Sequence, residues 1–198
     1  MIHSIIYGSI LGDAYVSRHG TVQFRQSLDK FQYIDWFYKN LSQYTTQKGI
    51  SYFSQYDPRT QKFYYSCGFG TRRLFQNYRT LFYPTGVKVL PVTFADDIDA
   101  TGLAVWFMDD GARTSQTEKA VYFTLDSFDT QEIDCIRQVF REKFGIDTTL
   151  QKAGTTSKGT PQRRIRIGVH SYPVFYDYVY PIVSQVEFMK QKKLPEKS

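Results

Sequence analysis

The chain has 198 residues, enough for one large domain or two small ones with a sizeable core. No apolar run reaches the ~18 residues of a membrane-spanning helix, and Cys67 and Cys135 fit neither a disulfide framework nor a zinc-ligand spacing. There are 25 basic and 19 acidic residues, so the net charge of +6 and the pI near 9.2 suit a polyanionic partner such as a nucleic acid.

The first predicted elements are an apolar helix, a strand and an amphipathic helix. Residues 5–15 (IIYGSILGDAY) predict a helix that ends at Asp13. Residues 21–25 alternate polar and apolar side chains, which is typical of a half-buried antiparallel strand with a polar outer face. Residues 31–41 then show the apolar spacing of an amphipathic helix.

A second apolar helix is predicted at residues 102–112 (GLAVWFMDDGA), with Asp109 and Asp110 immediately before Gly111. A glycine at this place indicates the end of a helix. The helix dipole already places partial negative charge at that end, so each exposed carboxylate costs roughly 0.3–1 kcal/mol there. A bound cation is one way to offset this cost.

The remaining elements of the second half are a helix and an alternating strand. Residues 131–144 predict an amphipathic helix that Gly145 ends. Residues 163–168 (RRIRIG) alternate, with Arg164 and Arg166 on one face and Ile165 and Ile167 on the other. This strand therefore presents positive charge on its outer face.

These elements form an internal repeat. Asp13 aligns with Asp110, VQFRQSLDKFQYIDW (22–36) aligns with VYFTLDSFDTQEIDC (121–135), and FYPTGVKVLP (82–91) resembles VYPIVSQVEFMKQKKLP (179–195). The sequence thus predicts two similar halves, 1–95 and 96–198, joined by the short stretch PVTFADDIDA (91–100).

The two apolar helices are expected to pack on a pseudo-twofold axis between the halves. Ser4, Gly8 and Gly12 recur every four residues, so another helix backbone can approach closely at this face. Asp13 and Asp110 would then meet at one end, where they repel each other unless they are protonated or bound to cations. Oxygen ligands favour Mg²⁺ or a similar hard ion.

At these residues the chain resembles the LAGLIDADG homing endonucleases of the single-chain, two-motif type. The motif aligns with IYGSILGDA (6–14) and LAVWFMDDG (103–111), and the acidic eighth position is present in both. Ser9 and Leu11 depart from the family pattern in the first motif. The resemblance covers essentially the whole chain, and two motifs about a hundred residues apart make a specific signal.

The resemblance implies an α+β fold of two pseudo-symmetric αββαββα halves. The motif helices would form the interface, and the antiparallel sheets would form a saddle in the DNA major groove. It also implies a monomer that binds double-stranded DNA at a long asymmetric site. The compartment is not given by the sequence, and an organelle that contains DNA, such as a mitochondrion or a chloroplast, stays open. Such proteins are usually encoded in introns or inteins.

The resemblance further implies hydrolysis of both DNA strands with short 3′ overhangs. Asp13 and Asp110 would be the catalytic, metal-binding acids, and the backbone carbonyls of Gly12 and Asp109 would assist in binding Mg²⁺, for which Mn²⁺ can substitute. Metal ions lower the pKa of bound water and stabilise the attacking and leaving oxygens.

Two lysines are candidates for electrostatic stabilisation near the scissile phosphates. Lys88 and Lys193 stand at matching places before a proline in the two halves, with Lys192 as an alternative to Lys193. Basic and polar residues at predicted strands and turns are candidates for DNA contact. These are Arg18, His19, Gln23, Arg25, Gln26, Arg59, Lys62, Arg113, Lys158, Arg163, Arg164 and Arg166.

Two other classes of function stay open at this point. A nucleic-acid-binding module without cleavage, such as an RNA splicing maturase, would use the same fold but need not keep both acids and both lysines. A structural interaction protein would leave the paired acids unexplained. The sequence therefore favours the nuclease.

Overall fold

The first half of the chain folds as helix, two strands, helix, two strands, helix. The computed structural model describes residues 1–45, 49–115, 117–155 and 161–196. The elements of the first half are α1 (Ile2–Leu11), β1 (Tyr15–Val16), β2 (Val22–Ser27), α2 (Phe31–Leu41), β3 (Ser51–Asp57), β4 (Lys62–Gly70) and α3 (Gln76–Phe82). The strands form one antiparallel sheet in the order β1-β2-β4-β3.

The second half repeats this order after the short helix α4 (Phe94–Asp97) and adds one helix at its end. Its elements are α5 (Ala100–Asp110), β5 (Gly111–Arg113), β6 (Val121–Thr124), α6 (Thr130–Phe144), β7 (Thr148–Thr155), β8 (Pro161–Ile167), α7 (Tyr172–Val183) and α8 (Glu187–Lys193). The antiparallel sheet has the order β5-β6-β8-β7. The predicted α+β class and αββαββα repeat are confirmed, whereas the division between residues 95 and 96 falls inside α4 and stays a prediction.

The sheet registers also repeat between the halves. Tyr15 pairs with Gln23 in the first sheet, and Ala112 pairs with Tyr122 at the equivalent place in the second. In β2 the side chains alternate as predicted between buried and exposed positions. In β8 the predicted isoleucines are fully buried. One face of each sheet therefore packs on the core, and the other is the outer face.

The helices predicted after the first strands are both present, and both pack on the core. α2 spans the predicted residues, and α6 begins one residue earlier than predicted. Asp129 and Glu132 form a capping box at the start of α6, and Gly145 ends it with a left-handed φ of 66°. None of the helices in the described ranges has the length and apolar character needed to cross a membrane.

α1 and α5 cross so closely that their backbones nearly touch. A Cβ added to Gly8 would lie 2.3 Å from the carbonyl oxygen of Gly102, so only glycine fits at the crossing. Near the start of α5, Ser4 Oγ donates to Asp99 Oδ2 over 2.6 Å, and Asp99 caps α5 by accepting from the Gly102 amide. The predicted close packing of the motif helices is confirmed, although the repeat aligns Gly8 with Val105 rather than with Gly102.

Two local features differ from the sequence pattern. Gly111 follows α5, but its φ of −83° and ψ of 156° are extended, so it begins β5 at once instead of forming a left-handed cap. A side chain there would collide with the Phe107 ring, 2.0 Å away, which is why glycine is required. The Tyr180-Pro181 pair lies inside α7, whereas Tyr83-Pro84 follows α3.

The helix crossing should be intolerant of one added methyl group. We expect Gly8→Ala to lower the free energy of unfolding by about 1–3 kcal/mol, because the overpacking at Gly102 outweighs the better helix propensity of alanine. Urea denaturation measures the change. Gly70→Ala is the matched control, since its added Cβ would meet its nearest neighbour at an ordinary 3.4 Å. Equal stability of the two variants would contradict the packing argument.

Candidate active site

Three aspartates meet where α1 and α5 end. Asp13 lies two residues beyond α1, and Asp109 and Asp110 are the last residues of α5. The Asp13 amide donates to Asp109 Oδ2 over 3.3 Å. The Asp109 carboxylate also fills the space beside Gly12, where an added Cβ would lie 2.5 Å from Oδ2. Gly12 is thus the second glycine of the first motif that close packing requires.

Asp109 and Asp110 are only partly accessible to water and lie beside the exposed Asp13. Burial and the charges of Asp13 and Asp110 raise the pKa of Asp109 well above its ordinary value. Burial and the charge of Asp13 raise the pKa of Asp110 to about 6. Asp109 Oδ1 is buried and has no hydrogen-bond partner within the described residues. The acids therefore form a site that a cation would stabilise.

The first acid has a polar partner from the strand beside it. Gln26 Nε2 donates to Asp13 Oδ2 over 2.6 Å, and Lys30 Nζ donates to Gln26 Oε1 over 2.8 Å. Gln26, expected among the groove residues, thus lies with the acids on the helix-facing side of β2. Lys30 was not among the sequence candidates, and its only sequence signal is its place four residues after Gln26.

The second acid has a different partner, taken from its own helix. Trp106 Nε1 donates to Asp110 Oδ2 over 3.0 Å, one helical turn away along α5. Because an indole N–H can only donate, this contact holds the ionised form of Asp110 and opposes the rise of its pKa.

Lys88 lies against the end of the first motif helix. Its Nζ donates to the carbonyl oxygens of Leu11 over 2.8 Å and Gly12 over 3.0 Å. A cation at this end of a helix is favourable, since it complements the helix dipole and satisfies carbonyls that have no partner inside the helix. Burial lowers the pKa of Lys88, and the aspartates oppose this effect.

Lys193 has the equivalent position at the second motif helix. Its Nζ donates to the carbonyl oxygens of Asp109 over 2.9 Å and Gly111 over 2.7 Å. Its side chain is only 7% exposed, and burial lowers its pKa, with the Asp109 charge acting in the opposite direction. The structure therefore pairs Lys88 with Lys193; the side chain of Lys192 lies outside the part that the structure describes.

The carbonyls of Gly12 and Asp109, expected to assist in metal binding, each accept a hydrogen bond from a lysine. A carbonyl oxygen has two lone pairs, so one remains on each. Within the described ranges, no three His, Cys, Asp or Glu side chains are arranged to hold a metal ion by themselves. Mg²⁺ in phosphate-processing sites commonly takes one or two carboxylates and completes its shell with substrate phosphates and water. Asp13 and Asp110 fit that donor set.

The outer faces of both sheets carry basic side chains. Gln23 and Arg25 are exposed on β2, where Arg25 Nε donates to Ser66 Oγ over 2.9 Å and its guanidinium lies 4.4 Å from the centre of the Phe53 ring. On the second sheet, Arg164 lies 4.5 Å from the Tyr122 ring centre, and Arg166 forms an ion pair with Glu118. These contacts hold the arginines on the faces that the sequence predicted.

Other DNA-contact candidates lie at turns of the first sheet. Arg18 and His19 are exposed between β1 and β2. Arg59 and Lys62 are exposed at the turn between β3 and β4, where Arg59 pairs with Asp57 at 3.2 Å. All four are accessible to a nucleic acid.

Two predicted contact residues point elsewhere. Arg113 Nη2 donates to the Leu194 carbonyl over 2.7 Å, and Arg163 Nη1 donates to the Phe128 carbonyl over 3.3 Å. Both arginines therefore brace segments of the second half instead of lying on its outer face, because their register places them on the core-facing side of the sheet. Lys158 lies outside the described residues.

Comparison with known proteins finds one matching family and one similar curated protein. The sequence model of the LAGLIDADG DNA endonuclease family matches residues 3–196. The cytochrome b mRNA maturase bI2 of Saccharomyces cerevisiae is 26% identical over 106 residues, which are 54% of this chain and 23% of the maturase. The chain thus spans about a quarter of the length of that curated relative.

The fold is also found in a solved structure. The homing endonuclease I-WcaI, bound to its DNA recognition sequence, superposes with a TM-score of 0.85 at 20% identity, covering 98% of this chain and 86% of that one. Together with the two motif helices, their acids and the repeated sheets, the family match over nearly the whole length leads to one conclusion. The chain belongs to the LAGLIDADG DNA endonuclease family.

Proposed function

We propose that this chain is a site-specific DNA endonuclease that hydrolyses both strands of a target duplex with Mg²⁺ and leaves 3′ overhangs. The observation that carries the proposal is the meeting of Asp13 and Asp110 at the ends of α1 and α5, with one lysine at each helix end. The solved relative with this fold is bound to its DNA recognition sequence, which supports a DNA duplex as the partner.

Each part of the site has a role in the proposed reaction. A bound divalent ion supplies an activated water and stabilises charge on the phosphate. Asp13 and Asp110 hold that ion, and the Asp109 carboxyl group lies beside them, where its Oδ2 accepts from the Asp13 amide. Lys88 and Lys193 bring positive charge close to the scissile phosphates. The outer faces of the two sheets bind the duplex and fix its register.

We propose that the protein acts as a monomer on a long, asymmetric target. Both acids and both lysines come from one chain, so no second copy is needed to complete the site. The outer-face residues differ between the halves. Gln23 and Arg25 of the first sheet have the same register positions as Tyr122 and Thr124 of the second sheet. The two half-sites should therefore differ in sequence.

A splicing role on RNA without DNA cleavage is the second candidate. It is supported by the relative named as an mRNA maturase, of which this chain matches a part. The presence of both acids in one cluster with both lysines favours cleavage. Incubation with a randomised duplex library and Mg²⁺, followed by sequencing of cut ends, distinguishes the two functions: the endonuclease returns one family of sites, and a non-cleaving maturase returns none.

Removing either acid should stop double-strand cleavage. We expect Asp13→Asn and Asp110→Asn to give no linear product from a plasmid that carries a selected site, because the amide keeps the shape but loses the charge that holds the ion. Gel-shift affinity for the same site should be retained. Asp134→Asn, an exposed acid paired with Arg137, is the matched control. Full cleavage by either variant would contradict the assignment of these acids as ligands of the metal ion.

The lysines should affect both rate and stability. Lys88→Met and Lys193→Met should slow single-turnover cleavage by about 10²–10³-fold, the usual effect of losing one electrostatic stabiliser. Lys193→Met should also lower the free energy of unfolding by about 1–3 kcal/mol, since two charge-assisted hydrogen bonds to the carbonyls of Asp109 and Gly111 are lost. The exposed Lys39→Met, which breaks a pair with Asp35, serves as the control. Wild-type rates in both variants would rule out the electrostatic role.

Base preference should be set separately in each half-site. Arg25→Ala should relax discrimination by about 1–3 kcal/mol at one position of the half-site bound by the first sheet, because arginine recognises guanine through two hydrogen bonds. Cleavage profiles over all single-base variants of the selected target measure this. Arg141→Ala, on the exposed face of α6, should leave the profile unchanged. Relaxed preference in both half-sites would contradict the assignment.

A further inference from the structure

Arg25 is held on the outer face of the first sheet by residues of two other strands. Its guanidinium lies 4.4 Å from the centre of the Phe53 ring, and its Nε donates to Ser66 Oγ over 2.9 Å. Phe53 belongs to β3 and Ser66 to β4, and the strand order places β4 between β2 and β3. The Arg25 side chain therefore extends from β2 across β4 and along the face of the sheet.

The path of Arg25 across β4 is open because a glycine lies opposite it. In the sheet register Arg25 pairs with Gly68, and the next outer-face pair on the β3–β4 hairpin is Phe53 with Ser66. A Cβ at Gly68 would lie 2.2 Å from the Phe24 carbonyl oxygen, so the close pairing of β2 with β4 requires glycine there. The residue that the backbone requires is thus also the one that leaves room for the arginine.

These contacts leave one edge of the guanidinium available to a ligand. A guanidinium has five N–H donors, and Ser66 accepts from the one on Nε. In the part of the chain that the structure describes, the two terminal nitrogens of Arg25 have no protein acceptor, whereas Arg59 and Arg166 are each paired with an acid. Two terminal N–H groups side by side match the N7 and O6 acceptors that guanine presents in the major groove.

The second sheet has the same kind of contact, made by different strands. Arg164 on β8 lies 4.5 Å from the centre of the Tyr122 ring on β6. The two are diagonal neighbours, since Tyr122 pairs with Arg166 and Thr124 pairs with Arg164. Each outer face thus carries an arginine that rests on an aromatic ring, although the repeat aligns Arg25 with Thr124 and not with Arg164.

An aromatic ring can restrict an arginine without using any of its N–H donors. A free arginine side chain has many rotamers, and a side chain that is fixed before the DNA arrives loses less conformational entropy on binding. The attraction between the cation and the ring favours the fixed position. The Ser66 hydrogen bond adds direction, because it determines which edge of the guanidinium faces away from the protein.

We propose that Phe53 and Ser66 are positioning residues for base recognition, which hold Arg25 so that its two terminal nitrogens contact one guanine of the half-site bound by the first sheet. Tyr122 has the corresponding role for Arg164 in the other half-site. The inference rests on the DNA binding that the proposed function requires. It assigns base preference to side chains that need not touch a base themselves.

The test measures binding instead of cleavage. Duplexes are selected by affinity from a randomised library in EDTA, and the affinity of every single-base variant of the selected site is then measured. Arg25→Ala should lower the preference for guanine at one position by about 5–150-fold. Phe53→Leu should lower the preference at that same position by about 2–5-fold, the usual effect of an exposed contact between a cation and a ring. Ser66→Ala should act there in the same direction.

A conservative variant and a double variant separate positioning from folding. Phe53→Tyr keeps the ring and should keep the preference of the unaltered protein. The double variant Arg25→Ala, Phe53→Leu should show no greater loss of preference than Arg25→Ala alone, because the ring acts only through the arginine. Tyr122→Leu should change a position in the other half-site and leave the Arg25 position unaltered.

Phe63→Leu is the matched control on the same hairpin. Phe63 is 59% exposed and pairs with Tyr56, one residue out of step with the outer-face pair of Phe53 and Ser66, so its ring lies on the opposite face of the hairpin. Its loss should leave the base preference at every position of the site unchanged.

Three results would overturn the inference while leaving the proposed function intact. These are an unchanged guanine preference in Phe53→Leu, an equal loss of affinity for all variants of the site, and an additive effect in the double variant. The last two would indicate a general structural role of Phe53. If no duplex is enriched by the unaltered protein, the proposed function is overturned and this inference with it.

Discussion

The close crossing of α1 and α5 is the constraint on which the rest of the molecule depends. Gly8 and Gly102 allow the two backbones to approach, and every residue from Ser4 to Leu11 is buried as a result. Because the two helices end together, Asp13, Asp109 and Asp110 are forced into one small volume. The same crossing holds the two halves, and hence their sheets, in one arrangement.

Such a concentration of carboxylates opposes folding unless positive charge is nearby. Lys88 and Lys193 supply it, since each donates to carbonyl oxygens at the end of one motif helix. The compensation is incomplete, because the pKa values of Asp109 and Asp110 remain raised and Asp109 Oδ1 has no partner among the described residues. A site that keeps such electrostatic strain in the folded protein is well suited to a divalent cation.

The two halves are more alike in their backbone fold than in the side chains at equivalent positions. Register, sheet order and the placement of the lysines repeat between the halves. The residues on the outer faces do not: at equivalent register positions, Gln23 and Arg25 of the first sheet correspond to Tyr122 and Thr124 of the second. The backbone repeat is thus kept in both halves, while the side chains on the two outer faces differ.

The sequence by itself determined the repeat, the two apolar helices that end in acids and the alternating strands, because these depend on local periodicity and on residues that recur at matching places. It also placed Asp13, Asp110, Lys88 and Lys193 as candidates. Only the tertiary structure decided which groups meet. Lys88 lies in an irregular segment and Lys193 at the end of α8, yet both reach the same place on their helices.

The same limit applies to the orientation of side chains. Gln26, Arg113 and Arg163 are sequence candidates for DNA contact, and sheet register places each of them on the core-facing side of its sheet, so that their contact with DNA stays a prediction. Lys30 was missed, since its contact with Gln26 depends on how the end of β2 turns into α2. Local pattern fixes which residues share an element, whereas register and helix crossing, which join residues distant in the chain, fix what each side chain touches.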